Sequence, residues 1–331
     1  MLEVKKRNNF VPLFFCFCAL IGLWGCGQKM KVQADLPSLQ TLQCDSVPVT
    51  HELLSVTRLF AVGDMLVAYE DRRDTLFSFW KLPECRYLFS AGVRGNGPED
   101  FLMLDRTFRP TEQGFETLEI ETGRIKELAV DTVASSLRLV STRQPNGGQR
   151  ALNRFLFLEG GRYCCVSDDE AHEYLLLDSE RVVKSFGDYP EGLLPEEEGT
   201  PKRFTYNKLT VAAPSGKKFA AFYAYAKLCR VYDSEGRLLK ETLAEAPETP
   251  SAGEEKKLYY SSYPCATEEA IYVLTESDGQ PVLEVWDWDA VLTARYRLPR
   301  KFSNIAWSPV DGKLYAVYAG DEQDVMMRLS L

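Results

Sequence analysis

Histidine is almost missing from this chain. His51 and His172 are the two present among 331 residues. That leaves little material for His-based general acid–base chemistry or His-rich metal sites. Neither is accompanied by a Ser-x-Gly nucleophile elbow or a third partner nearby in sequence, so no catalytic triad is indicated. A basic excess is missing too. Lys and Arg number 39 against 48 Asp and Glu, a formal net charge of −9. A nucleic-acid binder needs a basic face, so that class is excluded. No C-x-x-C pair occurs, and no segment sustains a 3.6-residue apolar period. Hydrophobic residues nevertheless make up 45% of the chain and aromatics 12%, a globular composition that excludes wholesale disorder.

One apolar run stands near the start. Lys5, Lys6 and Arg7 precede Phe10 to Leu23, which is interrupted by Pro12 and Gly22, and Leu23-Trp24-Gly25-Cys26 closes it. The run falls short of the roughly 20 residues a membrane-spanning helix needs. A basic start, a short apolar core and a small residue before the cleavage point make a secretory signal over residues 1–25. Leu23, Gly25 and Cys26 resemble a bacterial lipobox. The resemblance implies thioether attachment of diacylglycerol to Cys26, cleavage before it, and N-acylation. Several acyl chains, at about 0.8 kcal/mol per buried CH₂, hold a protein on a membrane permanently. Residues 26–38 read as lipid anchor and polar tether. By analogy with lipoprotein sorting, Gly27 in place of Asp argues against inner-membrane retention, and no acidic export cluster follows. The expected address is the outer membrane, facing the periplasm.

Six cysteines lie beyond Cys26: Cys44, Cys85, Cys164, Cys165, Cys229 and Cys265. An exported protein could pair them. Their apolar, strand-like surroundings favour buried free thiols, and no metal site is expected.

The remainder is a repeat. Leu228 to Asp233 with Ser234-Glu235-Gly236, Tyr174 to Asp178 with Ser179-Glu180, and Leu283 to Asp287 with Trp288-Asp289 each show an apolar strand, an Asp, a polar turn and a second strand. An Asp there can hydrogen-bond backbone two residues on. Before each such hairpin lies another strand. Met65–Tyr69, Phe115–Ile120, Tyr163–Val166, Lys218–Tyr223, Ala270–Thr275 and Lys313–Tyr318 start about 43 to 55 residues apart, the size of one four-stranded propeller blade. The last unit supplies three strands before the chain ends at Leu331. The segment near Leu39 to Val49 is expected to add the fourth and close the ring. The expectation is an all-β, six-bladed propeller over residues 39–331. An open β-solenoid, with shorter repeats, fits less well.

After the first blade comes Gly92-Val93-Arg94-Gly95-Asn96-Gly97-Pro98-Glu99-Asp100-Phe101. This element resembles the Gly-rich element of the TolB-like six-bladed β-propeller lipoproteins of Bacteroidales, with Asp100 standing between Glu99 and Phe101. Asp188-Tyr189-Pro190, Tyr206-Asn207, Ala213 to Lys218, Trp286 to Asp289 and Lys313 to Ala316 match further segments in order. The resemblance covers about residues 45–331 and implies fold and address, with no assigned activity.

The glycine run lacks the following helix and Gly-Lys-Ser/Thr ending of a phosphate loop, so it reads as a blade-to-blade crossing in which glycines permit positive φ. Arg94, Asn96 and Glu99 are candidates to line the propeller mouth. Trp286-Asp287 and Trp288-Asp289 lack the Gly-His partner of WD40 blades and read as strand-end aromatics before a turn. Glu196 to Glu198 lie in the long segment from Gly187 to Asn207 and read as a solvated acidic loop in preference to a Ca²⁺ site. In the same segment Tyr189, Phe204, Tyr206 and Asn207 would form an aromatic lip for a sugar or peptide. Asp45-Ser46-Val47 resembles the O-glycosylation sequon of Bacteroidota, with Ser46 as acceptor. The expected function is non-enzymatic: a membrane-tethered binding or scaffold protein for a glycan, peptide or protein partner, without cofactor. The alternative is a propeller enzyme of lactonase or lyase type, whose carboxylate, amide and His side chains would gather on inner-strand ends.

Overall fold

In a sheet covered on both faces, a strand carries a continuous apolar run instead of an alternating one. The second strands of the repeat are of this kind: Met65–Tyr69 and Gly114–Glu119 are buried at every position. The computed structural model describes residues 30–331 except Ala34, Pro98, 146–151, Glu197 and 248–255. Three short strands come first: β1 (Lys31–Val32), β2 (Leu39–Thr41) and β3 (Gln43–Ser46). Six antiparallel blades follow. Blade 1 is β4 (Arg58–Val62), β5 (Met65–Tyr69), β6 (Thr75–Lys81) and β7 (Arg86–Val93). Blade 2 is β8 (Leu104–Pro110), β9 (Gly114–Glu119), β10 (Arg124–Asp131) and β11 (Ser136–Arg143). Blade 3 is β12 (Leu156–Phe157), β13 (Tyr163–Val166), β14 (His172–Leu177) and β15 (Val182–Asp188). A one-turn helix, α1 (Lys202–Thr205), lies in the crossing to blade 4: β16 (Lys208–Ala212), β17 (Lys218–Tyr223), β18 (Lys227–Asp233) and β19 (Leu238–Glu245). Blade 5 is β20 (Cys265–Ala266), β21 (Ala270–Ser277), β22 (Gln280–Asp287) and β23 (Leu292–Arg297). Blade 6 is β24 (Asn304–Ser308), β25 (Lys313–Ala319), β26 (Asp324–Ser330) and, from the other end of the chain, β3.

The closure follows the sequence expectation. β3 runs antiparallel to β26, with Cys44 opposite Leu329 and Ser46 opposite Met327. The tether differs from it. From Lys31 onward it is bound to outer blade edges: β1 pairs parallel with β19 and β2 parallel with β23. Gln33 donates its backbone N–H to Leu243 and exchanges two side-chain bonds with the backbone of Leu292, at 3.0 and 3.1 Å. An outer edge offers unpaired N–H and C=O groups, which an extended polar segment satisfies through its backbone alone. An apolar period is therefore not needed for docking, and none marks this segment in the sequence.

The expected turn chemistry recurs from blade to blade. Asp178 Oδ1 accepts the N–H of Glu180 and Arg181, Asp233 Oδ1 that of Glu235 and Arg237, and Asp287 Oδ1 that of Asp289 and Val291. Asp131 does the same for Val133 and Ala134 in blade 2. Trp286 and Trp288 are buried, as strand-end aromatics. The six cysteines are free thiols.

Apolar clusters fill the wedges between neighbouring blades. Between blades 1 and 2, Phe60 stacks on Phe108 at 4.4 Å and meets Phe115 edge-on at 5.1 Å. Between blades 3 and 4 the fit is tight enough to specify a glycine. Gly216 has φ +72°, and a Cβ there would lie 2.6 Å from Glu159 N and 2.8 Å from Leu158 C. Gly279 has the same φ and nothing within 4 Å. Gly279→Ala should therefore cost about 1–2 kcal/mol, from the left-handed backbone alone. Gly216→Ala should cost clearly more, because backbone of blade 3 must shift. Urea titrations of the two variants measure the gap, and equal losses would mean that the wedge yields freely.

Candidate functional site

The first strand of each blade borders the propeller axis, and its residues mix apolar and polar types. Together they enclose an axial cavity of about 430 Å³. All six inner strands contribute. Phe60, Phe108, Phe157, Val211 and Trp307 supply apolar wall. Arg58, Thr107, Arg109, Thr210, Thr267 and Glu268 supply the polar groups. Gly63, Pro110, Pro214 and Pro309 also border it; they follow or end inner strands, so the cavity opens where first strands turn into second ones. A mostly apolar cavity of this size with a few placed polar groups has the form of a small-molecule site.

Most of the wall is fixed by contacts behind it. Arg109 Nε donates to Glu116 Oε2 at 2.6 Å, and its guanidinium lies 4.9 Å above the Phe157 ring. Arg143 reaches the other oxygen of the same carboxylate. Glu268 accepts the backbone N–H and the hydroxyl of Ser215, the latter at 3.0 Å. The Trp307 ring stacks on Tyr272 at 5.4 Å, and its backbone N–H points to Cys265 Sγ at 3.1 Å. Burial pushes the Cys265 thiol up, which keeps it protonated and a poor nucleophile.

The residues singled out in sequence lie elsewhere. Arg94, Asn96 and Glu99 sit on the crossing from blade 1 to blade 2, at the opposite end of the inner strands from the cavity mouth. Asn96 and Glu99 are exposed. Arg94 is folded back onto the carbonyls of Asp71 and Arg73. Of the glycines with described geometry in that element, Gly92 has positive φ, at +84°. Gly95 and Gly97 are needed for a different reason than the one expected. A Cβ on either would lie 2.4 or 2.6 Å from Asp100 Oδ2, the atom that accepts the Gly97 N–H at 2.8 Å. The glycine run thus wraps Asp100, the residue that departs from the Gly-rich element it resembles.

Tyr189, Tyr206 and Asn207 are brought together on the crossing from blade 3 to blade 4, but the expected aromatic lip is turned inward. Tyr189 and Tyr206 are buried with ring centroids 5.7 Å apart, and Phe204 is the exposed ring. The Lys208 ammonium holds this crossing inward: it lies 5.2 Å over the Tyr189 ring, donates to the Tyr206 backbone carbonyl at 3.4 Å and to Glu173 at 2.7 Å. Asn207 Oδ1 accepts from Arg154. The two crossings form separate groups, and none of these six residues lines the cavity. Glu196 pairs with Lys202 at 3.7 Å. Ser46 is exposed on β3. Cys26 lies outside the described residues.

Buried carboxylates tie the crossings down, an arrangement not anticipated from sequence. Glu70 accepts the Leu54 N–H at 2.7 Å, Asp324 that of Val56 at 2.7 Å, and Glu119 that of Leu102 at 3.1 Å. Burial raises the Glu70 carboxyl. At Glu119 burial works the same way, but Lys126 at 2.8 Å and bonds from Thr122 and Leu102 outweigh it and hold the group below its usual range. His51 Nε2 lies 3.4 Å from Ser90 Oγ and the ring stacks on Tyr87. Ser90 joins Ser78 and Glu70 in a hydrogen-bonded chain within blade 1, away from the cavity lining. Among the described residues no group of three His, Cys, Asp or Glu side chains converges as a metal site.

Fold and cavity together define a six-bladed β-propeller with an axial pocket. Solved structures similar to it include a member of the DUF4221 family from Bacteroides vulgatus, at 10% identity and a TM-score of 0.59, over 89% of this chain and 98% of the other. A second is a candidate exported protein of Bacteroides fragilis, at 11% identity and a TM-score of 0.57, over 91% and 98%. A third is the calcium-binding protein regucalcin from Agrobacterium tumefaciens, at 11% identity and a TM-score of 0.52, over 89% and 96%. At these identities the likeness is one of fold. No family model matches the chain, and neither does any curated protein.

Proposed function

We propose that this chain is a lipid-anchored propeller of the bacterial cell envelope that binds its ligand in the axial cavity without transforming it. The observation that carries this reading is the cavity itself, built by all six inner strands and walled by aromatic and aliphatic side chains. Its size suits a small molecule, one or two sugar rings, or a side chain of a peptide or protein partner. The signal-like start, Cys26, the resemblance to TolB-like lipoproteins and the fold likeness to a candidate exported protein support the address, an outer-membrane lipoprotein facing the periplasm. Ser46, exposed on the closing strand, is open to glycosylation.

A thermal-shift screen of the detergent-solubilised full chain against glycans, short peptides and small acids tests the binding role. Hits should raise the melting temperature of the wild type and lose that effect in both Trp307→Ala and Phe108→Ala. Hits that survive both substitutions would move binding away from the cavity, toward Arg94, Asn96 and Glu99. The anchor is tested separately. Cys26→Ser should abolish labelling by an alkyne fatty acid and release the chain from membranes with its melting temperature unchanged. A Cys26→Ser chain still carrying lipid would overturn the assignment.

A further inference from the structure

We infer that the axial pocket selects a small organic monoanion, a carboxylate on an apolar body, and that Arg58 receives its charge. The inference rests on the cavity being the ligand site. Arg58 opens β4, whereas Gly63 follows that strand at the mouth, so the guanidinium lies toward the inner end of the cavity. From blade 1 it reaches the chain entering blade 5, donating to Tyr263 O at 3.1 Å and Pro264 O at 2.9 Å. Those bonds use two of its five N–H groups. Among the described residues no carboxylate lies within 4.0 Å of it.

Of the other charges of the lining, Arg109 is ion-paired with Glu116, and Glu268 is hydrogen-bonded by Ser215 past the end of β20, at the mouth end and away from Arg58. Asp105 acts on Arg58 electrostatically without an ion-pair contact, and it does not line the cavity. Its oxygens accept the N–H of Thr107 at 3.0 Å and of Phe155 at 3.3 Å. Burial also raises that carboxyl, which weakens it as a counter-charge. Among the described residues Arg58 is therefore the cation of the cavity wall with no carboxylate in contact, Asp105 acting on it only at longer range. An unpaired charge beside an apolar space is unfavourable, and a carboxylate would relieve it through charge-assisted, bidentate hydrogen bonds. Phe60, Phe108, Phe157 and Trp307 leave the rest of the space to an apolar or aromatic body. A second anionic group on the ligand would face that wall unpaired, which favours a monoanion.

Calorimetric titration of the detergent-solubilised full chain with 4-phenylbutyrate and with its uncharged isostere 4-phenylbutyramide tests this. The carboxylate should bind about tenfold or more tightly than the amide. Arg58→Gln should abolish that preference while leaving the amide's affinity within about twofold, and Arg58→Lys should keep part of it. Trp307→Ala should weaken both probes. Equal binding of the two probes to the wild type would overturn the anion selectivity and leave the cavity as the ligand site. Should Arg58→Gln fail to fold, that wild-type comparison still decides. Failure of both probes to bind at millimolar concentration, or binding indifferent to Trp307→Ala, would overturn selectivity and cavity reading together.

Discussion

Glu173→Ala is expected to destabilise the protein by about 3–5 kcal/mol, the range for breaking a buried ion pair from one side. Glu173 is fully buried between blades 3 and 4. Its carboxylate receives Lys208 at 2.7 Å, Arg230 at 3.1 Å and the Tyr223 hydroxyl at 2.7 and 2.8 Å. Removing it takes a carboxylate from two cations in the wedge. Arg230 retains Glu241 and the Asp188 carbonyl, but Lys208 keeps only the Tyr206 carbonyl and the faces of three tyrosines. Burial already lowers the Lys208 pKa, and Glu173 is the main influence opposing it. In the variant the folded-state value falls further below the unfolded value of about 10.4. The unfolded chain then binds more protons than the folded one, so stability rises with pH across that interval. The deficit of Glu173→Ala relative to wild type should therefore shrink as pH rises toward about 10. Urea denaturation at several pH values measures both effects. In a double-mutant cycle with Lys208→Ala, the double variant should lose less than the sum of the single losses. A loss under about 1 kcal/mol would show that water reaches the wedge.

Chain truncations should separate the two roles of the N-terminal strands. A chain beginning at Asp35 loses β1 and the Gln33 bonds, at a cost of about 1–3 kcal/mol from a few edge hydrogen bonds. A chain beginning at His51 should lose its cooperative unfolding transition. It loses β3, exposing the edge of β26, and with it Leu42 and Val47, which are buried in two inter-blade clusters. Each buried aliphatic side chain removed costs about 2–5 kcal/mol, and the open ring adds an unpaired edge. Thermal melts and limited proteolysis compare the two chains. Equal stability would mean that blade 6 stands without closure, as in an open array where each unit contacts only its neighbours.

Local chemistry determined the blades. Continuous apolar second strands, Asp at hairpin turns and a period near fifty residues are set by burial on both faces and by side-chain-to-backbone bonds a few residues apart. Both are legible along the chain, as at Asp178, Asp233 and Asp287. The short final unit also pointed to β3, because a ring with three strands in its last blade must borrow one. Tertiary structure alone decided where polar side chains end up. Tyr189 and Tyr206, polar-tipped aromatics in a long crossing, have the sequence signature of an exposed lip, but the Lys208 ammonium, paired with Glu173 of the adjacent blade, holds the Tyr189 ring inside and Tyr206 packs beside it. Lys31 to Gln33 carry no apolar pattern, yet blade edges bind them through backbone. The cavity was hidden for the same reason. Its wall is assembled from a few residues on each of six strands spread across the chain, and the mixture of polar and apolar residues in first strands such as β4 and β8, with Arg58, Thr107 and Arg109, was the local sign of it. Which of those charges is matched and which is left open depends on partners up to 206 positions away, as Arg58 and Pro264 show.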